Sequence, residues 1–205
     1  HLDQNGWGMD ILHAGKTGGC GGVVLYVDGE AYPVRNNGNS GEPVFTGRLV
    51  QESETRVMLE LTATGVGPAD APYTVKLRPS ALAGRRDSPV EAVVEGGDPG
   101  RHLALGITLT TLPVENYFVE QKSGVAGSWG FQQPEIGWIG MGIVFQPDEF
   151  LYLDDQPDEH RIVLKCTPGK PVRYHILSDW LRGHRFSMAP GIGEWMETLR
   201  KESCK

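Results

Sequence analysis

The stretch GWGMDILHAGKTGGCGGVVLYVDGEAYPV, residues Gly6 to Val34, decides the fold. Its second half places two β-rich runs, Val23-Val24-Leu25-Tyr26-Val27 and Glu30-Ala31-Tyr32-Pro33-Val34, around an Asp28-Gly29 pair. That is the pattern of a tight hairpin. Its first half centres on Gly15-Lys16-Thr17, which raises the question of a phosphate-binding loop. Such a loop needs glycine at position 10 and a helix opening straight after the threonine. Position 10 is Asp, and Gly18, Gly19, Gly21 and Gly22 follow Thr17, where they would destroy that helix. The glycines therefore lead into a sheet, and the polar residues before them sit on a loop at its mouth.

Outward from the hairpin the chain continues as strands separated by turn chemistry. Runs are expected at Phe45–Gln51, Arg56–Thr64, Tyr73–Leu77, Ser88–Glu95, His102–Leu112, Asn116–Gln121, Gly137–Gln146, Phe150–Leu153, Arg161–Cys166 and Val172–Leu177. Val57, Leu59 and Leu61 alternate with Met58, Glu60 and Thr62, and Leu103, Leu105, Ile107 and Leu109 share one face. Helical spacing is confined to a short turn at Trp180-Leu181-Arg182 and to Ile192–Glu202, where Ile192, Trp195, Met196 and Leu199 recur at 3/4 intervals. The fold class expected is all-β: one large antiparallel β-sandwich spanning residues 1–205 with a C-terminal helix, and no internal repeat or linker.

Composition narrows the function. In 205 residues the hydrophobic share is 39%, the charged share 22% and the net charge -7, with no basic footprint for nucleic acid. Cys20, Cys166 and Cys204 are far apart, lack metal-ligand spacing and leave the redox compartment open. No run of about 18 apolar residues suggests a membrane span. A sequence opening on His1 without Met is expected to be a processed, trimmed or partial product.

Two clusters could carry chemistry. His1, Trp7, Asp10, His13 and Lys16 lie within sixteen residues among glycines. These are the components of a saccharide site: tryptophan stacks on a sugar ring, lysine binds a carboxylate and histidine exchanges a proton near neutrality. The plainer reading is that Trp7 and Met9 anchor the loop while Asp10 caps a turn. The second cluster, Ser123 to Gly142, sets Trp129, Phe131 and Trp138 among glycines; Trp138 is expected in the core and Trp129 on a cleft wall. His102, His160, His175 and His184 each read first as structural, and the acidic Asp154-Asp155 and Asp158-Glu159 as a solvated turn without calcium-loop spacing. No nucleophile elbow is present.

The order His1, Gly6-Trp7-Gly8-Met9-Asp10, His13-Ala14-Gly15-Lys16, Gly19-Cys20-Gly21-Gly22 and the YVDGEAYPV hairpin resembles a bacterial domain-of-unknown-function family of polysaccharide-utilisation clusters. Arg56 to Leu61, Gly127 to Gly130, the GMGIVF strand and the closing helix agree along most of the chain. The resemblance implies a sandwich of the galactose-mutarotase or hyaluronate-lyase type, related to dehydratases and lyases of uronate-containing oligosaccharides. The location is left open, with a periplasmic or secreted one the favoured expectation. The resemblance implies members longer than this chain, with additional strands before the position of His1, so this chain is expected either to lack part of its sheet or to receive it from a second chain.

Elimination beside a uronate carboxylate gives each residue a role by resemblance and chemistry together. Lys16 or Arg35 neutralises the carboxylate, His13 removes the proton, and His1 or Tyr26 protonates the leaving oxygen. Trp7 or Trp129 holds the ring and Asp10 orients His13 or Lys16. No metal or cofactor is expected. Two rival readings remain: a non-catalytic carbohydrate-binding sandwich that uses the same Trp residues without His13 and Lys16 titrating near each other, and a structural subunit whose exposed sheet edge pairs with another chain.

Overall fold

The computed structural model describes residues 11–36, 38–182 and 191–203. Among them, thirteen strands run in chain order as β1 (Val23–Val27), β2 (Glu30–Pro33), β3 (Val44–Glu52), β4 (Arg56–Val66), β5 (Tyr73–Leu82), β6 (Ser88–Gly96), β7 (Leu103–Thr110), β8 (Val114–Glu120), β9 (Val125–Phe131), β10 (Trp138–Phe145), β11 (Phe150–Leu153), β12 (Glu159–Lys165) and β13 (Val172–Trp180). One helix, α1 (Ile192–Ser203), closes the chain. The strands form two antiparallel sheets, β11-β12-β7-β1-β2 and β3-β4-β5-β6-β13-β10-β9-β8. No helix among the described residues is long and apolar enough to cross a membrane.

The hairpin forms where Asp28-Gly29 places it, with φ of 52° and 87° at the two central residues, the left-handed pair that a tight hairpin requires. Strand β1 pairs β2 on one side and β7 on the other. Alternation then does the packing. Leu25, Leu105, Ile107, Leu109, Ile162 and Leu164 of the five-stranded sheet are fully buried against Val75, Ala92, Val94 and Ile143 of the eight-stranded one. Each such side chain contributes about 1.5–3 kcal/mol by leaving water.

The glycine-tryptophan segment is a strand pair, not a loop cluster. Gly127 of β9 lies opposite Gly142 of β10, and Gly140 lies opposite Trp129. These glycines leave a trough on the outer face of the sheet, and α1 fills it. A Cβ on Gly127 would stand 2.6 Å from Leu199, and one on Gly140 would stand 3.0 Å from the Trp195 ring. Trp195 donates its ring N–H to the Met141 carbonyl at 3.1 Å. Trp129 sits beneath the helix with its ring 6.4 Å from that of Trp195 and is 3% exposed. The expectation that Trp129 lines a cleft is corrected: the glycines around it admit a helix, not a sugar. Trp138, expected in the core, is the more exposed of the two and meets Phe131 edge-on.

At the C-terminus of α1, Arg200 holds Glu120 of β8 through two hydrogen bonds, one of them 3.0 Å long, and this pairing lowers the Glu120 carboxyl to about 2. Trp180-Leu181-Arg182, expected as a helical turn, is instead the end of β13 running into a turn.

Burial pushes the thiols of Cys20 and Cys166 up to about 12. Both are expected to resist alkylation at neutral pH in the folded protein and to react fully in denaturant. Both are half-buried, and rapid native-state labelling of either would contradict the raised pKa.

Candidate functional site

The loop between residues 11 and 22 is fixed by its backbone. The amide of His13 donates to Gln132 at 2.9 Å, and Gln132 donates in turn to the Ile11 carbonyl at 2.7 Å. Gly18 donates its amide to Glu159 at 3.0 Å, Thr17 and Thr110 hydroxyls meet, the Gly21 amide donates to the Thr108 carbonyl of β7 at 2.8 Å, and the Thr108 amide donates to the Gly22 carbonyl at 2.9 Å. Tyr174 donates to the Gly21 carbonyl at 2.8 Å, and Arg35 donates to the Lys16 carbonyl. Glycine is needed for these approaches. At Gly22 a Cβ would meet Gly18 backbone atoms at 2.8 Å, and at Gly18 it would press on Thr108.

This loop carries no helix after Gly15-Lys16-Thr17, in keeping with the rejection of a phosphate cradle. The side chains of His13 and Lys16 are exposed and make no hydrogen bond or ion pair with the other described residues. Arg35 touches the loop through its bond to the Lys16 carbonyl, and it lines an open cleft of about 260 Å³ with Tyr32, Pro33, Glu42 and Pro43 that neither His13 nor Lys16 lines. His1, Trp7 and Asp10 lie outside the described residues.

Tyr26 belongs to a different arrangement. It points to the outer face of the five-stranded sheet, away from the core, with its ring over Gly106, where a Cβ would come within 2.9 Å. Its hydroxyl donates to Asp154, and burial together with that carboxylate raises its pKa. Arg161 bridges Asp154 at 3.0 Å and Glu159 at 2.7 Å. Burial works against ionised Asp154, but hydrogen bonds from Tyr26, Gln156 and Arg161 outweigh it and hold the carboxyl below its usual range. Tyr26 is thus a fixed member of a salt-bridged network, and its expected part as proton donor at the loop is corrected.

Asp154, Glu159 and Arg161 are the residues that sequence reading missed. Asp154 and Glu159 read as parts of a solvated acidic turn and Arg161 as the first residue of a strand, yet Glu159 is 1% exposed and accepts from the Gly18 amide. The available signal was parity: Ile162 and Leu164 face the core, so Glu159, Arg161 and Val163 must face outward together. The loop and the outer-face network are joined through Glu159.

A second buried cluster lies where the two sheets meet at β12 and β8. His160 stacks on Tyr117 with ring centroids 3.6 Å apart and contacts Glu115 and Asp155, each at 2.8 Å. Burial opposes the imidazolium, but the hydrogen bonds and charges of Glu115 and Asp155 outweigh it and raise the His160 pKa. Glu115 is held below its usual range, against its own burial, by His160, Ser128 and the Leu112 amide.

A raised histidine contributes stability fully below its unfolded value of about 6.5, and the contribution is lost as pH rises through the folded value. A depressed glutamate contributes above its unfolded value of about 4.3, and that is lost as pH falls through the folded value. The stability gap between the protein and a His160→Gln variant is therefore expected to peak between about pH 5 and 6.5. Urea unfolding across pH checks it, and a gap that does not change with pH contradicts it.

Among comparisons with known proteins, a family model matches residues 1–203, and the chain belongs to that family, DUF4861, described as a domain of unknown function. No curated protein matches the chain.

Proposed function

We propose that this chain is a carbohydrate-active protein that takes an acidic, uronate-containing oligosaccharide at the 11–22 loop and cleaves it by β-elimination. The observation that carries the reading is the division of labour in that loop. Backbone groups do the anchoring, while the His13 and Lys16 side chains are left free of partners among the described residues. A loop anchored through its backbone leaves these two ionisable side chains open to an acidic ligand.

In this mechanism Lys16 and the remaining N–H donors of Arg35 neutralise the sugar carboxylate, which makes the adjacent C5 proton acidic. His13 takes that proton, the electron pair forms the C4=C5 bond, and the C4–O bond breaks. The leaving oxygen takes its proton from His1, because the Tyr26 hydroxyl is committed to Asp154. The burial of Trp129 moves ring stacking to other aromatics, of which Tyr32 lines the cleft beside Arg35.

Calorimetric titration with uronate oligosaccharides tests the binding half. Lys16→Ala is expected to weaken affinity by about 10- to 100-fold, the value of one charge-assisted hydrogen bond. Equal affinity for neutral and acidic sugars, unmoved by Lys16→Ala, would sink the reading. Ultraviolet absorbance of the conjugated uronate product tests the chemistry, which must vanish in His13→Ala. Binding without any absorbance change would make the protein a non-catalytic saccharide-binding sandwich, which needs Lys16 and Arg35 but not His13.

A further inference from the structure

Among the described residues, His160 is the histidine with a carboxylate against each ring nitrogen: Nε2 lies 2.8 Å from Glu115 and Nδ1 lies 2.8 Å from Asp155. A neutral imidazole carries one N–H and one lone pair, so it can donate to only one of them. Both contacts together require the imidazolium, which has two donors. The Tyr117 ring, parallel to the imidazole at 3.6 Å, favours the same form, because a cation over an aromatic face is stabilised.

The ring points between the sheets, on the side of β12 that carries Ile162 and Leu164. The titratable groups that face it are Glu115 and Tyr117 from β8 and Asp155 from the turn before β12. Burial keeps Tyr117 neutral by raising its pKa further. β7 sets the apolar Leu109 opposite His160, and β9 supplies Ser128, which donates to Glu115 at 2.6 Å. Glu159 and Arg161, the neighbours of His160 on β12, face the other way and pair with each other.

The two carboxylates are not held equally. The Glu115 side chain is 11% exposed and also takes the Leu112 amide, so it stays in place when the ring loses its proton. The Asp155 side chain is 52% exposed and makes no other hydrogen bond among the described residues. A lone pair turned on a carboxylate at this distance is repulsive, and Asp155 is the partner that water can accept. It lies in the 154–158 turn, whose backbone is closed by the Gln156 amide on the Glu159 carbonyl at 2.8 Å and by the Thr111 amide on the Asp158 carbonyl at 2.9 Å.

We propose that His160 is a proton-operated latch on this turn: charged, it ties the 154–158 turn to β8 of the other sheet; neutral, it keeps Glu115 and releases Asp155 with the turn. Burial opposes the charged ring, but Glu115 and Asp155 outweigh it, so release falls above the ordinary histidine value of about 6.5. The latch goes beyond the saccharide reading and does not depend on it. It acts on the turn and not on the 11–22 loop, because Glu159 faces outward and keeps the Gly18 amide in both states.

Ring-resonance NMR of His160, with amide hydrogen exchange from about pH 5 to 9, tests the latch. The ring is expected to titrate with a midpoint above about 6.5. Through that midpoint the protection of the Gln156 and Thr111 amides, corrected for the intrinsic pH dependence of exchange, is expected to fall about tenfold, the value of one charge-assisted hydrogen bond. Gly18 keeps its protection. Asp155→Ala, at an exposed position, is expected to hold the two turn amides at the lower protection at every pH and to bring the ring midpoint down. His160→Gln is expected to make their protection independent of pH. Turn protection that does not change through the ring midpoint, a loss that persists in Asp155→Ala or His160→Gln, or an equal loss at Gly18 would each overturn the proposal.

Discussion

Trp195→Ala is expected to lower the unfolding free energy by about 3–5 kcal/mol, the cost of emptying a large buried aromatic site. Trp195 is 1% exposed and, with Leu199, fills the trough left by Gly127, Gly140 and Gly142. Truncation opens a cavity that the flat sheet beneath cannot close, and it also leaves the Met141 carbonyl without its ring N–H. Trp129, whose cover is the helix, becomes solvent-exposed. Urea unfolding followed by tryptophan fluorescence measures both effects together. A loss below about 1 kcal/mol with unshifted emission would mean that α1 is not seated as described.

Gly22→Ala is expected to cost about 1–3 kcal/mol through overpacking and to abolish saccharide binding with it. The atoms in the way are the carbonyl group and Cα of Gly18: the Cα and carbonyl carbon lie 2.8 Å from the added methyl carbon, and the carbonyl oxygen lies closer still. Backbone cannot swing aside as a side chain can. Gly18 must move, and its amide then leaves Glu159 while Thr110 loses the carbonyl of Gly19. His13 and Lys16 lose their fixed positions although neither residue is altered. Calorimetry and urea unfolding on the same variant separate the two consequences; binding retained at the original affinity would show that the loop geometry does not matter to the ligand.

Alternation made most of the fold legible. The hairpin, the Arg56 strand, the Leu103 to Leu109 face and the Trp195–Leu199 helix stripe all stand where period two or period 3.6 put them. Strand β9 escaped because its glycines mimic a loop, and their purpose is visible only once α1 lies across them. For the same reason Trp129 was misplaced: sequence reports an aromatic between glycines, while the helix that covers it is more than sixty residues away.

The candidate site was less legible. His13 and Lys16 lie on the loop, and Arg35 donates to the Lys16 carbonyl. Tyr26 does not join them, because its position on β1 sends it to the outer face, where Arg161 and Asp154 claim it. Pairings such as Gly18 with Glu159 or His160 with Glu115 join residues distant in sequence, and no local pattern encodes them. The exposed Val57, Leu59 and Leu61 show the same limit: alternation identifies an apolar face but not whether another layer covers it.

The measurement closest to the central claim is histidine-selective NMR during titration with an acidic oligosaccharide. The account predicts that the His13 ring resonance moves and saturates with the ligand, that Lys16→Ala weakens that movement, and that the His102, His160 and His175 rings stay in place. Saturable binding that leaves His13 still while His160 or His175 shifts would contradict it and put the site elsewhere on the sandwich.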